Sequence, residues 1–351
     1  MSRAGGITFI TRSIDAVNYA TRILRDLGRV QPDENVLIVA DTYTEQEVWT
    51  AFATAAALLD AKWTISLCKS WTDRMIESGK GTWQEKLTKP IWKAHEAADV
   101  VVLTTLTWYA NPKPESVMER FRSGKLRGIG GVCRSLRMLT GGGVDALLDE
   151  QRREEIFAKQ NKINDLLKSG KEIRISDNQG TDLVSSLEGI SRIELLPDQK
   201  LGKEAVQNVY LPDGEVMWKP PEHKTEGVVV TDGPISFVRE SHGIYGNFPF
   251  EPIKLVIKEG RIVDVEGGAD GERIKWIHKH IPGSDLIDEV AVGLNPLCRH
   301  TGELQEEKKK LGDAHIAFGG LYAAWHSDVN IRKPKVMIDD KTIFESGKIF
   351  I

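Results

Sequence analysis

The sequence has little of several features that would announce a chemistry. Only three of its 351 residues are cysteine (Cys68, Cys133 and Cys298), and no C-x-x-C occurs. That excludes a disulfide framework and a cysteine zinc site, and it points to a reducing compartment. Positive charge is not in excess: 47 basic against 51 acidic residues leave a formal net charge of −4, so nucleic acid is not an expected partner. No run approaches the roughly 18 apolar residues of a membrane span, and Met1–Gly6 is not followed by a signal-peptide pattern. No membrane partner is expected, and the expected location is the cytoplasm. No G-x-G-x-x-G opens a helix after the first predicted strand, so a dinucleotide role lacks its usual motif. Internal repeats and low-complexity linkers are also missing.

What is present fits a globular enzyme: 40% apolar and 28% charged residues, on a chain long enough for two domains. Apolar positions Ala16, Tyr19, Ala20, Ile23, Leu24 and Leu27 make a helical stripe. Continuous apolar runs at Asn35–Ala40, Trp63–Cys68 and Asp99–Thr104 alternate with helical stretches at Glu45–Leu59 and about Thr82–Ala98. Gly128–Cys133 adds a further strand, and the spacing predicts a long charged helix over Asp145–Leu167. This is the pattern of a mainly parallel α/β sheet. From Lys171 the texture changes to alternating strands, among them Glu172–Ser176, Thr181–Ser186, Gly227–Thr231, Ile253–Lys258 and Arg261–Val265, separated by Pro-Asp-Gly, Asp-Gly-Pro and Gly-Gly turns. Hairpins and antiparallel pairing follow. The expected architecture is an α/β amino-terminal domain (1–170) and a β-rich α+β carboxy-terminal domain (171–351) that carries a metal site.

The metal expectation starts from His315–Asp328, which holds two histidines, a tyrosine and an aspartate within fourteen residues. In an extended segment His326 and Asp328, two apart, point the same way, and Gly319-Gly320 allows a reversal that folds His315 back towards them. Upstream, Glu215 and Glu289 each lie at or near the start of an apolar strand, where a carboxylate is costly to bury unless it is paired or metal-bound. Together these acids and imidazoles suit two neighbouring ions of zinc, cobalt, manganese or iron. The run Glu306-Glu-Lys-Lys-Lys310 reads instead as a solvated helix face.

In Pro212-Asp-Gly-Glu215-Val, Glu226-Gly-Val-Val-Val, Glu289-Val-Ala-Val-Gly-Leu-Asn-Pro, Glu307-Lys through Ala314-His315-Ile-Ala-Phe-Gly, and His326-Ser-Asp328, the second half resembles the thermophilic-type metallo-aminopeptidases. These are also called the aminopeptidase T or leucyl aminopeptidase-like group. The resemblance implies an oligomeric two-domain enzyme, a homodimer or larger, with two divalent cations (Zn, Co or Mn) at the domain interface. It implies Glu215, Glu289, His315, His326 and Asp328 as ligands, Tyr322 as the site tyrosine and Glu307 as a further acid. Only Ala323-Ala-Trp separates that tyrosine from the His-x-Asp pair, so the pocket wall is expected to differ from longer members. Trp218 and Trp325, beside the ligands in sequence, would suit a flat or aromatic substrate.

The same superfamily includes the 2,5-dihydroxypyridine 5,6-dioxygenases, with a single iron. Those are expected to carry histidine where Glu289 stands and to lack the acid at Glu215. The sequence therefore favours a metallo-hydrolase that cuts an amide or peptide bond of a small molecule or short peptide by a metal-activated water. Glu289 or Glu307 would shuttle the proton and Tyr322 would donate to the oxyanion. The alternative is Fe(II)-dependent ring cleavage of a hydroxylated N-heterocycle.

Overall fold

The computed structural model describes residues 13–69, 87–105, 114–130, 135–190, 192–195, 208–235, 248–319 and 326–351. In chain order its strands are β1 (Asn35–Asp41), β2 (Lys62–Cys68), β3 (Val100–Leu103), β4 (Arg127–Gly130), β5 (Glu172–Ser176), β6 (Asp182–Ser186) and β7 (Arg192–Leu195). They continue with β8 (Asn208–Tyr210), β9 (Glu215–Lys219), β10 (Thr225–Thr231), β11 (Ile253–Lys258), β12 (Arg261–Glu266) and β13 (Ile287–Gly293). The last are β14 (Ala314–Phe318), β15 (Ser327–Ile331), β16 (Lys335–Ile338), β17 (Lys341–Glu345) and β18 (Lys348–Ile349).

Two compact units result. The first, drawn from Met1–Glu77, Gln84–Glu150 and Pro197–Asp213, is built on a five-stranded sheet of order β2-β1-β3-β4-β8. Every pairing in that sheet is parallel. The continuous apolar runs split by strand alternation. Val36, Ile38, Val100 and Val102 join one core with the helix Gln46–Leu58, while Leu37, Val39, Val101 and Leu103 join another with the helices Lys89–Ala97 and Glu115–Arg122. A sheet covered on both faces needs apolar side chains at every position, which is why these strands read as unbroken apolar runs.

The second unit is built from Gln151–Leu196 and Gly214–Ile351 and holds two antiparallel sheets, β12-β11-β10-β6-β5-β16-β17-β18 and β15-β14-β13-β9-β7. An α/β unit with a parallel sheet beside a β-rich unit is the architecture the sequence pattern implies. The long charged helix runs Glu150–Ser169, and its partners lie in the second unit: the Gln160 Nε2 amide donates to the carbonyl of Glu215 at 2.8 Å, which fixes the start of β9. No helix among the described residues is long and apolar enough to cross a membrane.

One glycine shapes the smaller antiparallel sheet. At the end of β13 the chain that follows the short helix Leu304–Glu307 passes over Gly293: Asn295 N donates to Lys309 O at 2.9 Å, and Leu311 N donates back to Asn295 O at 2.9 Å. A Cβ on Gly293 would stand 2.6 Å from the Lys309 carbonyl carbon and would overlap the Lys310 carbonyl as well. Backbone cannot yield as a flexible side chain does, so Gly293→Ala should cost about 1–3 kcal/mol of unfolding free energy, as overpacking typically does. Chemical denaturation checks this, and a loss below about 0.5 kcal/mol would show that the crossing segment can move aside.

Candidate metal centre

Strand register gathers the sequence-predicted residues. In β9–β13–β14–β15, Glu215 pairs with Gly293, Ala291 with His315, His315 with Asn330, and Ala317 with both Glu289 and Asp328. Paired residues project to one face and successive residues to opposite faces. Glu215, Glu289, His315, Asp328 and Asn330 therefore share a face, and His326, two before Asp328, extends it. The opposite face carries Val216, Trp218, Val290, Val292, Ile316 and Val329, all buried. The apolar alternates hold this strand stack in the interior, and the polar alternates are carried out of water with them.

The polar face is dry and tightly charged. Glu215, Glu289, His315, His326 and Asp328 are all at most 8% exposed. His315 Nε2–H donates to Glu289 Oε1 at 2.8 Å, and His326 Nε2 lies 3.3 Å from Asp328 Oδ1 and 3.9 Å from Glu289 Oε2. Burial alone would push the Glu289 carboxyl up, but the His315 hydrogen bond and the Lys308 charge outweigh it and hold the carboxyl below its ordinary range. Burial likewise opposes ionisation of Asp328, yet Lys308 and His326 hold it well down. The His326 imidazole is lowered by burial and raised more by Asp328 and Glu289, so its net shift is upward.

Donor atoms of Glu289, His315 and Asp328 lie within 4.8 Å of one another. Ligands on opposite sides of an ion at about 2.1 Å stand about 4.2 Å apart, so a small closure makes a coordination shell. His315 Nδ1 and His326 Nδ1 are buried without a hydrogen-bond partner. Such a deficit is what a bound cation with its water removes. The donor set therefore fits a first-row transition metal.

Of the remaining candidates, Glu307 and Trp218 lie among the described residues. Glu307 is fully buried, but its carboxylate accepts from Arg332 Nη2 at 2.7 Å, Arg332 Nε at 3.0 Å and the Gly302 amide. Trp218 is odd-numbered from Glu215 along β9 and lies on the apolar face, away from the ligands. Tyr322 and Trp325 lie outside the described residues.

The charge run was misread as solvated. Glu306, Glu307, Lys308 and Lys309 are all at most 6% exposed, because each charge has an oppositely charged partner close by. Arg299 Nε donates to Glu306 Oε1 at 2.8 Å. Lys308 Nζ stands 3.4 Å from Asp328 Oδ2 and 4.0 Å from Glu215 Oε2, while Lys309 Nζ is 3.7 Å from Glu215 Oε1. Burial opposes the Lys308 charge, and Asp328, Glu215 and Glu289 more than restore it, so its pKa is raised. Nothing in the composition of the run signals this. Its place seven residues before His315 was the one available hint.

The model of the family described as 2,5-dihydroxypyridine 5,6-dioxygenase (NicX) matches residues 17–351. A search of curated proteins finds no match. Among solved structures, the 2,5-dihydroxypyridine dioxygenase of Pseudomonas putida KT2440 is similar over 96% of this chain and 97% of its own, with TM-score 0.69 and 18% identity. AmpT of Thermus thermophilus is similar over 96% of this chain and 99% of its own, with TM-score 0.61 and 13% identity. Both likenesses show the fold. The family match overturns the expected metallo-hydrolase, and with it the aminopeptidase, metalloprotease and amide-hydrolysis reading. That expectation rested on the acids at Glu289 and Glu215, where the dioxygenases were expected to carry histidine and to lack an acid; beside Glu215 stand two lysine ammoniums.

Metal binding at this face should be pH-dependent, because His326 must be neutral to ligate and its neighbours favour its protonated form. Affinity for Mn²⁺, followed by calorimetry on chelator-stripped protein, should fall as pH is lowered from 8 through the raised His326 pKa, with protons released on binding. Asp328→Asn removes a donor and should weaken binding by at least 100-fold. A flat pH profile, or an Asp328→Asn variant that binds like wild type, would place the ion elsewhere.

Proposed function

This chain belongs to the 2,5-dihydroxypyridine 5,6-dioxygenase family, and on that premise we propose that it cleaves the ring of a hydroxylated pyridine with O₂ at a single ferrous ion. The family match over residues 17–351 carries the reading. The donor chemistry supports it: two imidazoles, His315 and His326, with the carboxylate of Asp328 supply the two-histidine, one-carboxylate set typical of non-haem Fe(II) oxygenases, and leave Glu289 beside them. Ferrous iron, when bound, supplies the one-electron chemistry that lets O₂ react with a closed-shell ring.

The chain's own residues do the remaining work. Glu289, kept ionised by His315 and Lys308, is the group suited to take the proton of a ring hydroxyl and so present an electron-rich phenolate. The two buried lysines hold positive charge where negative charge grows, since opening a ring between a hydroxyl-bearing carbon and its neighbour leaves a carboxylate. The dry face keeps bulk water from the reacting atoms. Both oxygen atoms enter the product, so no external reductant is needed.

Oxygen uptake by iron-loaded protein tests this directly. With 2,5-dihydroxypyridine, one O₂ should be consumed per ring opened, with the substrate's near-ultraviolet absorbance lost in step. Chelation should abolish uptake, and Fe(II) should restore it. His315→Ala should reduce turnover by more than 100-fold while leaving the circular dichroism spectrum intact. No uptake across a set of dihydroxypyridines by protein holding one Fe(II) per chain would sink the reading.

A further inference from the structure

Lys308 occupies an unusual place. Its ammonium is buried between Asp328 and Glu215, 3.4 Å from Oδ2 of one and 4.0 Å from Oε2 of the other, and Lys309 faces the second oxygen of Glu215 at 3.7 Å. Glu215 is at the same time the carboxylate of this face that stands outside the tight donor group of Glu289, His315 and Asp328. Bridging oxygens from two carboxylates are what a second metal ion needs. Here an ammonium on a four-carbon stem stands between them instead.

We propose that Lys308 takes the place of a second cation, so that the site holds one divalent ion and Glu215 is a partner of Lys308 and Lys309 instead of a metal ligand. The inference rests on the single-ion reading above. Charge supports it. Glu215, Glu289 and Asp328 exceed the two ammoniums by one negative charge, so one divalent ion leaves the cluster with a single net positive charge. A second ion would leave a strongly positive cluster in a site with little water to screen it. Geometry supports it too: the segment that crosses Gly293 delivers Lys308 and Lys309 to this face, and the tight backbone packing there keeps that segment from drawing back.

The test counts ions and needs no substrate. Chelator-stripped protein titrated with Mn²⁺, with bound metal measured by elemental analysis and electron paramagnetic resonance, should hold one ion per chain. Lys308→Met removes the ammonium at similar length and should admit a second ion, seen as a rise from one to two and as a spin-coupled signal. Two ions in the wild type, or one in folded Lys308→Met, overturns the inference. Should Lys308→Met fail to fold, Glu215→Gln asks the same question without touching the lysine: one ion bound within tenfold of wild-type affinity is expected, and a larger loss overturns the inference. The two readings fail separately. Absent oxygen uptake with the stoichiometries as expected removes the ring-cleaving activity alone, and normal uptake with one ion in folded Lys308→Met removes the role of Lys308 alone.

Discussion

Glu215, Glu289 and Asp328 are carried out of water on one face of a β-sheet, and a lone carboxylate in such a place costs several kcal/mol even after the surroundings relax. The local structure answers that cost with positive charge. Lys308 and Lys309 come from a segment laid across the end of β13, the imidazoles of His315 and His326 come from β14 and the residue before β15, and a metal ion completes the set in the proposed function. Remove the cations and the acids cannot stay ionised. Remove the acids and two buried ammoniums are left without partners.

The same constraint explains why the surrounding chain is so heavily paired. Glu306 is held by Arg299 and Glu307 by Arg332, and the His300 Nε2 lies 2.6 Å from Asp313 Oδ2. These pairs flank the crossing segment on both sides. A short helix of Leu304–Glu307 has too few turns to fix its own orientation, so its position is set by these ion pairs and by the absent side chain of Gly293. The site is held from outside its own ligands, which is how a functional cluster keeps its geometry while each member is costly to bury.

Much of this was legible in the sequence. Apolar runs of strand length separated by helical stretches gave the parallel sheet, and alternation with turn residues gave the antiparallel ones. The two-residue spacing of His326 and Asp328 put both on one face without any tertiary information. The union of Glu215 and Glu289 with them needed three long-range strand pairings, which no local pattern carries; the cost of burying a lone carboxylate suggested it and the motif resemblance supported it. What failed had a common cause. Trp218 was judged by nearness in sequence to Glu215, but alternation sends it to the opposite face. Glu306–Lys310 was judged by composition, and composition treats a charge as solvated because it cannot see the partner that allows burial. The return of β8 to the first sheet, a strand of three residues after a long excursion, has no periodic signal at all.

The hydrolase expectation rested on the acids at Glu215 and Glu289 and took no account of the charge run. A carboxylate set with Glu215 included, and with Lys308 and Lys309 assigned to solvent, calls for two metal ions and therefore for hydrolysis. In the proposed reading, the lysines returned to the site leave the same carboxylates calling for one ion fewer, and a single ion with two imidazoles is suited to O₂ chemistry. The fold cannot make this choice, since a dioxygenase and AmpT share it with this chain at comparable TM-scores of 0.69 and 0.61. The difference between two chemistries on one scaffold can then lie in the charge of a side chain a few ångströms from the metal. In this chain the segment over Gly293 is where that charge is set.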